Sequence, residues 1–112
     1  MLPGRGITSL GAGTDAEHVD AFSNALAGMQ DATLRLDVAA NNVANVSTAG
    51  FRPSRVDGGA VLPGGGDDEE PSGVDLATEM VTVLTAPIAY AANARVVRAA
   101  RETGQSLLDA LG

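Results

Sequence analysis

The chain has 112 residues, the length of one domain, and is 45% hydrophobic, yet 20 residues are Ala and the aromatics amount to two Phe, one Tyr and no Trp. An Ala buries little surface, so folding alone offsets the conformational entropy weakly, which predicts self-association or a place in a larger assembly. Seven Arg, no Lys and 14 acidic residues give a net charge of -7, which argues against a basic nucleic-acid-binding face, and the absence of Cys excludes disulfides and thiolate metal sites.

Residues 1–15 carry Pro3, Gly4, Gly6, Gly11 and Gly13 and read as a flexible arm. The start, Met1-Leu2-Pro3-Gly4-Arg5-Gly6, lacks the basic-then-apolar order of a secretory signal, so work outside the cytoplasm would require a route without a cleaved signal peptide. Residues 16–112 read as a single helical domain: a first helix with an Asn-rich turn over 16–49, a connector over 50–73 and a second helix over 74–111. In the first helix Phe22, Leu26, Met29, Thr33, Leu36, Ala40 and Val43 alternate by four and three, the template of a coiled-coil seam. Such a helix is about 45 Å long at 1.5 Å per residue. Asp31 and Arg35 form an i,i+4 pair on its outer surface.

The helix then meets Asn41, Asn42 and Asn45. Asn side chains compete with the backbone for hydrogen bonds, so three within five residues, just before Ser47-Thr48-Ala49-Gly50, mark a specified helix end. Capping and solvent-facing polarity is one reading of the cluster; contact with neighbouring subunits is the other. Gly50 reads as a left-handed C′ residue and Phe51 as a hydrophobic plug on the helix pair. In the connector Pro53, Gly58, Gly59, Pro63, Gly64, Gly65, Gly66 and Pro71 forbid a continuous helix, leaving room for a short extended piece around Gly59-Ala60-Val61-Leu62. Asp67-Asp68-Glu69-Glu70 is a solvated charge run without the spacing of a calcium loop.

The second helix is expected to start with Ser72 as N-cap and Asp75 three residues on, with Glu79 favoured by the helix dipole. Leu76, Met80, Val83, Pro87, Tyr90, Ala94, Val97, Arg101, Gly104, Leu108 and Leu111 repeat the four-three spacing, and Tyr90 reads as a core residue of this seam. Pro87 bends this helix or divides it, and Gly104 softens its last turns. Arg95, Arg98 and Arg101 suit the C-terminal dipole and cross-subunit pairing. No apolar run approaches the roughly 18 residues of a bilayer span, so no direct membrane insertion is expected. The fold predicted is all-α: two long heptad-patterned helices in a hairpin or coiled coil, joined by a short Gly/Pro-rich acidic loop.

His18 is the single histidine, and no Ser-His-Asp set, metal-ligand set or phosphate-binding Gly-Lys loop occurs, so neither catalysis nor a cofactor is predicted. The segment Leu36 to Asn45, followed by Thr48, Gly50, Phe51 and Arg52, resembles the N-terminal signature of bacterial flagellar basal-body rod and hook proteins. Val74-Asp75-Leu76-Ala77-Thr78-Glu79-Met80-Val81, continuing to Tyr90, Asn93, Ala94 and Val97, resembles that family's C-terminal signature. The matching positions Asn41, Asn42, Asn45, Thr48, Gly50, Phe51, Asp75, Leu76, Glu79, Met80, Tyr90 and Asn93 are the candidate motif and assembly residues. Ser47 and Ala49 depart from the pattern, standing where Asn and Thr are common.

The resemblance implies a structural subunit of the periplasm-spanning rod, polymerising through coiled-coil terminal helices and exported by the flagellar type III apparatus. Its implied partners are other rod subunits, itself and the export apparatus. The short connector cannot hold an outer β-domain of ordinary size, which points to a short proximal-rod type. The alternative is a helical-hairpin adaptor or regulator, derived from a rod protein, that does not polymerise.

Overall fold

A computed structural model describes residues 3–65 and 72–112, with the side chains of residues 3–16 and 18 outside that description. The elements are α1 (Pro3–Ala44), β1 (Arg55–Asp57), β2 (Ala60–Leu62) and α2 (Leu76–Leu111). Gly28 on α1 lies against Asn93 on α2, and Asn42 lies against Glu79, so the helices run antiparallel as a hairpin with the turn at one end. The molecule is accordingly elongated, 71 × 30 × 19 Å.

Helical backbone reaches back to Pro3, so the boundary expected near residue 15 is not a break in the chain path. Pro3 suits a first helical position because its missing N–H has no intrahelical acceptor there. The acidic block Asp67 to Glu70, Gly66 and Pro71 lie outside the described residues.

The seam differs from the predicted one. The buried apolar residues described are Ala25, Ala32, Ala39 and Ala86, and Phe22, Leu26, Thr33 and Ala40 are exposed. Each expected Leu26-Thr33-Ala40 position is replaced by the residue before it, while Met29, Leu36 and Val43 stay half-buried as expected; on α2 Glu79, Ala86 and Ala100 are inward of Met80, Pro87 and Arg101, whereas Asn93 and Ala94 are both half-buried and Val83 and Val97 stay so as expected. One residue is about 100° of rotation at 3.6 residues per turn. The reason is close approach: Gly28 faces Asn93 so closely that a Cβ there would fall 2.6 Å from Asn93 Nδ2 and make that side chain shift. Small residues let the two backbones come together, which turns the bulky halves of both predicted stripes, with Tyr90, toward one side of the hairpin.

Further findings concern the connector, where the extended piece expected around residues 59–62 is β2, and α2. Residues 55–62 form a β-ribbon, Arg55 opposite Leu62, Val56 opposite Val61 and Asp57 opposite Ala60. Gly58 and Gly59, at φ 56° and 79°, supply the two positive φ values of a type I′ turn. Asp75, not Ser72, is the N-cap of α2. α2 also passes unbroken through Pro87. The same helix contains an 18-residue window of mean hydropathy 1.3, apolar and long enough by length and composition alone for one membrane span, although, as expected, no uninterrupted apolar run of that length occurs. Its Ala, Thr and Tyr residues interrupt any aliphatic run while keeping the average high.

Candidate assembly site

The Asn cluster finishes α1 in stages. Asn45 N–H donates to Asn42 O at 3.1 Å, Val46 N–H to Val43 O at 3.1 Å and Thr48 N–H to Asn45 O at 3.0 Å, tightening the chain as the helix ends. Asn45 Nδ2 reaches back to Asn41 O at 2.9 Å, and Thr48 Oγ1 donates to Asn45 Oδ1 at 3.2 Å. A last turn is closed by Phe51 N–H on Thr48 O, 3.2 Å, with Gly50 at φ 74°. That left-handed conformation is the expected one, but Gly50 closes a turn beyond the helix and is not its C′ residue.

Asn42 is the centre of the arrangement and is 1% exposed. Its Nδ2 donates to Ser54 O at 2.9 Å and to Glu79 Oε1 at 3.0 Å, while Ser54 N–H donates to its Oδ1 at 3.0 Å. The amide thus pairs with both backbone groups of Ser54, as a β-bridge partner would, and holds α2 with its remaining hydrogen. A buried amide satisfied on both ends specifies one packing, because any slip strands it without partners.

Two bonds close the base of the connector: Gly73 N–H to Phe51 O at 3.0 Å and Ser72 Oγ to Asn45 O at 3.2 Å. Just beyond, the Asp75 carboxylate accepts Thr78 N–H at 3.3 Å and Thr78 Oγ1–H at 3.0 Å. The Thr78 hydroxyl first, and its N–H second, lower the Asp75 pKa from its ordinary 3.8.

Asn41, Asn42, Asn45, Thr48, Gly50, Phe51, Asp75, Leu76, Glu79 and Met80 therefore gather at the turn end, with Leu76 and Met80 exposed. Tyr90 and Asn93 sit apart, midway along the hairpin. Tyr90 is 43% exposed and borders an apolar groove of about 400 Å³, so it is not a core residue of the isolated hairpin. Sequence reasoning missed Ser54, whose position after Pro53 carries no signal. It also missed Gly28, which the small-residue spacing Ala25, Gly28, Ala32 does mark. Among the described residues no group of His, Asp and Glu could hold a metal.

Comparison with known families accounts for both halves of this end. The flagella basal body rod protein model matches residues 22–52, and the flagellar basal body rod FlgEFG protein C-terminal model matches residues 69–110. No curated protein and no solved structure matches the chain. The first match covers the lower part of α1 with its Asn turn, the second covers α2, and together they span well over half of the sequence. Proteins of these families are structural components of the flagellar basal body and not enzymes. With both models matched in order, on the two helices that Asn42 ties together, the chain belongs to the flagellar basal-body rod family.

Proposed function

We propose that the chain is a short, proximal-rod type subunit that polymerises with itself and other rod subunits through its two helices, packed as a coiled coil in the periplasm-spanning rod. The observation that carries this reading is the core. Among the described residues it consists of four Ala and Asn42, while Phe22, Leu26, Met80, Leu84, Ile88 and Tyr90 are left in solvent. Fully burying a Leu, Ile, Met or Phe is worth about 1.5–3 kcal/mol, so neighbours covering several of these supply what the hairpin lacks.

In this role the Asn turn fixes the angle at which α1 leaves the connector, and the twelve motif positions work as packing and geometry residues. The Gly-rich stretch of residues 3–15, which continues α1, serves in export or in contacts made on assembly. Delivery is by the flagellar type III export apparatus. Among the described residues the connector contributes its small ribbon, in keeping with a subunit that has no outer domain of ordinary size.

A strain lacking the gene, scored for rods in purified basal bodies, tests the reading. Loss of rods, with the tagged chain co-purifying with basal bodies in the complemented strain, is expected. Normal rods and normal motility refute it. Stable cytoplasmic dimers that never fractionate with basal bodies would favour the non-polymerising adaptor.

A further inference from the structure

The backbone ladder of α2 is interrupted near the middle of the hairpin. Pro87 has no N–H, so the Val83 carbonyl lacks the donor it would otherwise meet four residues on. Just before it, Thr85 Oγ1 donates to Val81 O at 2.7 Å and Thr82 Oγ1 to Thr78 O at 3.3 Å. A hydroxyl bonded back to the carbonyl four residues earlier competes with the ladder bond there and favours bending. Thr33 on α1, and Asn93 and Thr103 on α2, bond back in the same way. Among the described residues only the stretch 81–87 combines such bonds with a missing backbone donor, since α1 has no proline after Pro3.

Packing divides α2 at the same place. Before Pro87 the helix is tied down, by Asp75 at its cap and by Glu79 accepting from Asn42. The Gly28–Asn93 and Asn42–Glu79 contacts set Ala86 level with Arg35, between the buried Ala32 and Ala39 of α1. After Pro87 no residue of α2 is buried; Asn93, Ala94, Val97 and Ala100 are half-buried, and residues 101–112 are exposed. Beside Pro87 lies a cavity of about 310 Å³, lined by Ala32, Thr33, Leu36, Ala86, Pro87 and Tyr90, so α1 does not press the ring into place from that side.

We infer that residues 83–87 are a hinge in α2, with buried Ala86 as its fulcrum. Residues 88–111 swing about it as an arm, while residues 76–82 stay fixed to α1 at the Asn turn. A swing of about 20°, the lower end of a sharp proline bend, moves Ser106 by about 10 Å at 1.5 Å of rise for each residue beyond Pro87. α2 is continuous through the hinge, so the swing bends the helix without dividing it. The hinge belongs to the single chain and does not depend on polymerisation. A neighbour that covers the arm selects one of the angles the free chain samples.

The chain has no Cys, so spin labels attach only where Cys is introduced. Val19→Cys with Ser106→Cys places two labels at exposed positions across the arm, and Asp37→Cys with Leu84→Cys does the same at the clasped end. Pulsed electron–electron distance measurements on the full chain, diluted with unlabelled copies so that each labelled chain is read alone, give the spread of each pair. The 19–106 spread is expected to be about 10 Å, broad against the 37–84 pair, and Pro87→Ala narrows it to that of the clasped pair. Gly104→Ala, which favours helix in the same arm away from the hinge and has open space at its site, leaves it broad. A 19–106 spread as narrow as the 37–84 spread in the parent overturns the hinge. So does a spread that Pro87→Ala leaves unchanged, or one that Gly104→Ala narrows equally, because looseness would then belong to the whole arm and not to residues 83–87.

Discussion

Replacing Asn42 by Ala deletes three hydrogen bonds at once: two with Ser54 and one with the Glu79 carboxylate. A neutral bond of this kind contributes about 0.5–1.5 kcal/mol and one to a charged group about 1.5–3 kcal/mol, an additive ceiling of about 6 kcal/mol. Ser54 and Glu79 are only half-buried, so water takes over part of the lost bonding, and a cost of about 2–4 kcal/mol is expected. Asn42→Asp is worse at neutral pH, because a carboxylate donates nothing and faces both the Ser54 carbonyl and the Glu79 carboxylate. Its stability recovers in part on acidification, when the introduced carboxyl gains a proton to donate. Urea denaturation followed by circular dichroism gives the first quantity, and amide exchange at Ser54 locates it, since that N–H loses its acceptor. If Asn42→Ala stays within about 0.5 kcal/mol of the parent, the range of an ordinary surface substitution, and Ser54 exchange is unchanged, the amide is not the clasp described here.

Gly28→Ala is expected to be nearly neutral: about 1 kcal/mol of helix propensity is gained, but the new Cβ displaces Asn93 from its 2.9 Å bond to Ala89 O. Gly28→Leu forces the helices apart and lowers stability by about 1–3 kcal/mol, read by the same denaturation assay. Gly59→Val imposes a left-handed β-branched residue at φ 79°, costing about 1–2 kcal/mol locally; cross-strand NOEs between Val56 and Val61 disappear while helix melting is unchanged. Because the Asp75 pKa is lowered in the folded chain, its contribution is present above the ordinary value of 3.8 and is lost as pH falls through the lowered one; Asp75→Asn flattens the melting temperature against pH across that acid window. Pro87→Ala restores an N–H for the Val83 carbonyl and removes a cost of about 3 kcal/mol, so the isolated chain melts higher; an unchanged midpoint contradicts this.

The two helices and the Asn turn are legible from sequence because heptad spacing, Pro and Gly report on local backbone. Which face of each helix turns inward is not. Both α1 and α2 carry a bulky stripe beside a small one, and hydrophobicity alone prefers the bulky stripe. Gly28 against Asn93 decides the matter, and that contact joins residues 65 positions apart. The ribbon was half visible, since Asp57-Gly58-Gly59 is a turn signal, but strands of three residues are too short to show alternation. Ser72 and Asp75 are both good caps on paper; Ser72 is taken by the carbonyl of Asn45, a partner that only the folded turn brings near. In the candidate site Asn42 was marked and Ser54 was not, because an asparagine announces its bonding capacity while a backbone pair does not.

The distribution of these interactions along the hairpin has a mechanical consequence. At the turn end the chain is held by directional bonds, from Asn42, Asn45, Ser72 and Asp75, which fix geometry without needing much apolar area. Further along, contact is through Ala25, Ala32 and Ala86, whose small side chains permit close approach but contribute little each. At the far end of α2, Leu107, Leu108 and Leu111 are exposed, so nothing described within the chain covers that end well. Local opening free energy tracks buried apolar contact, so among the described residues the hairpin is firmest at the Asn turn and loosest at the C-terminal end of α2. Under the polymerising reading proposed above, an elongated subunit held firmly at its Asn turn gains much of its order on meeting neighbours, and the bulky residues beside the Ala seam are the surface that would supply it.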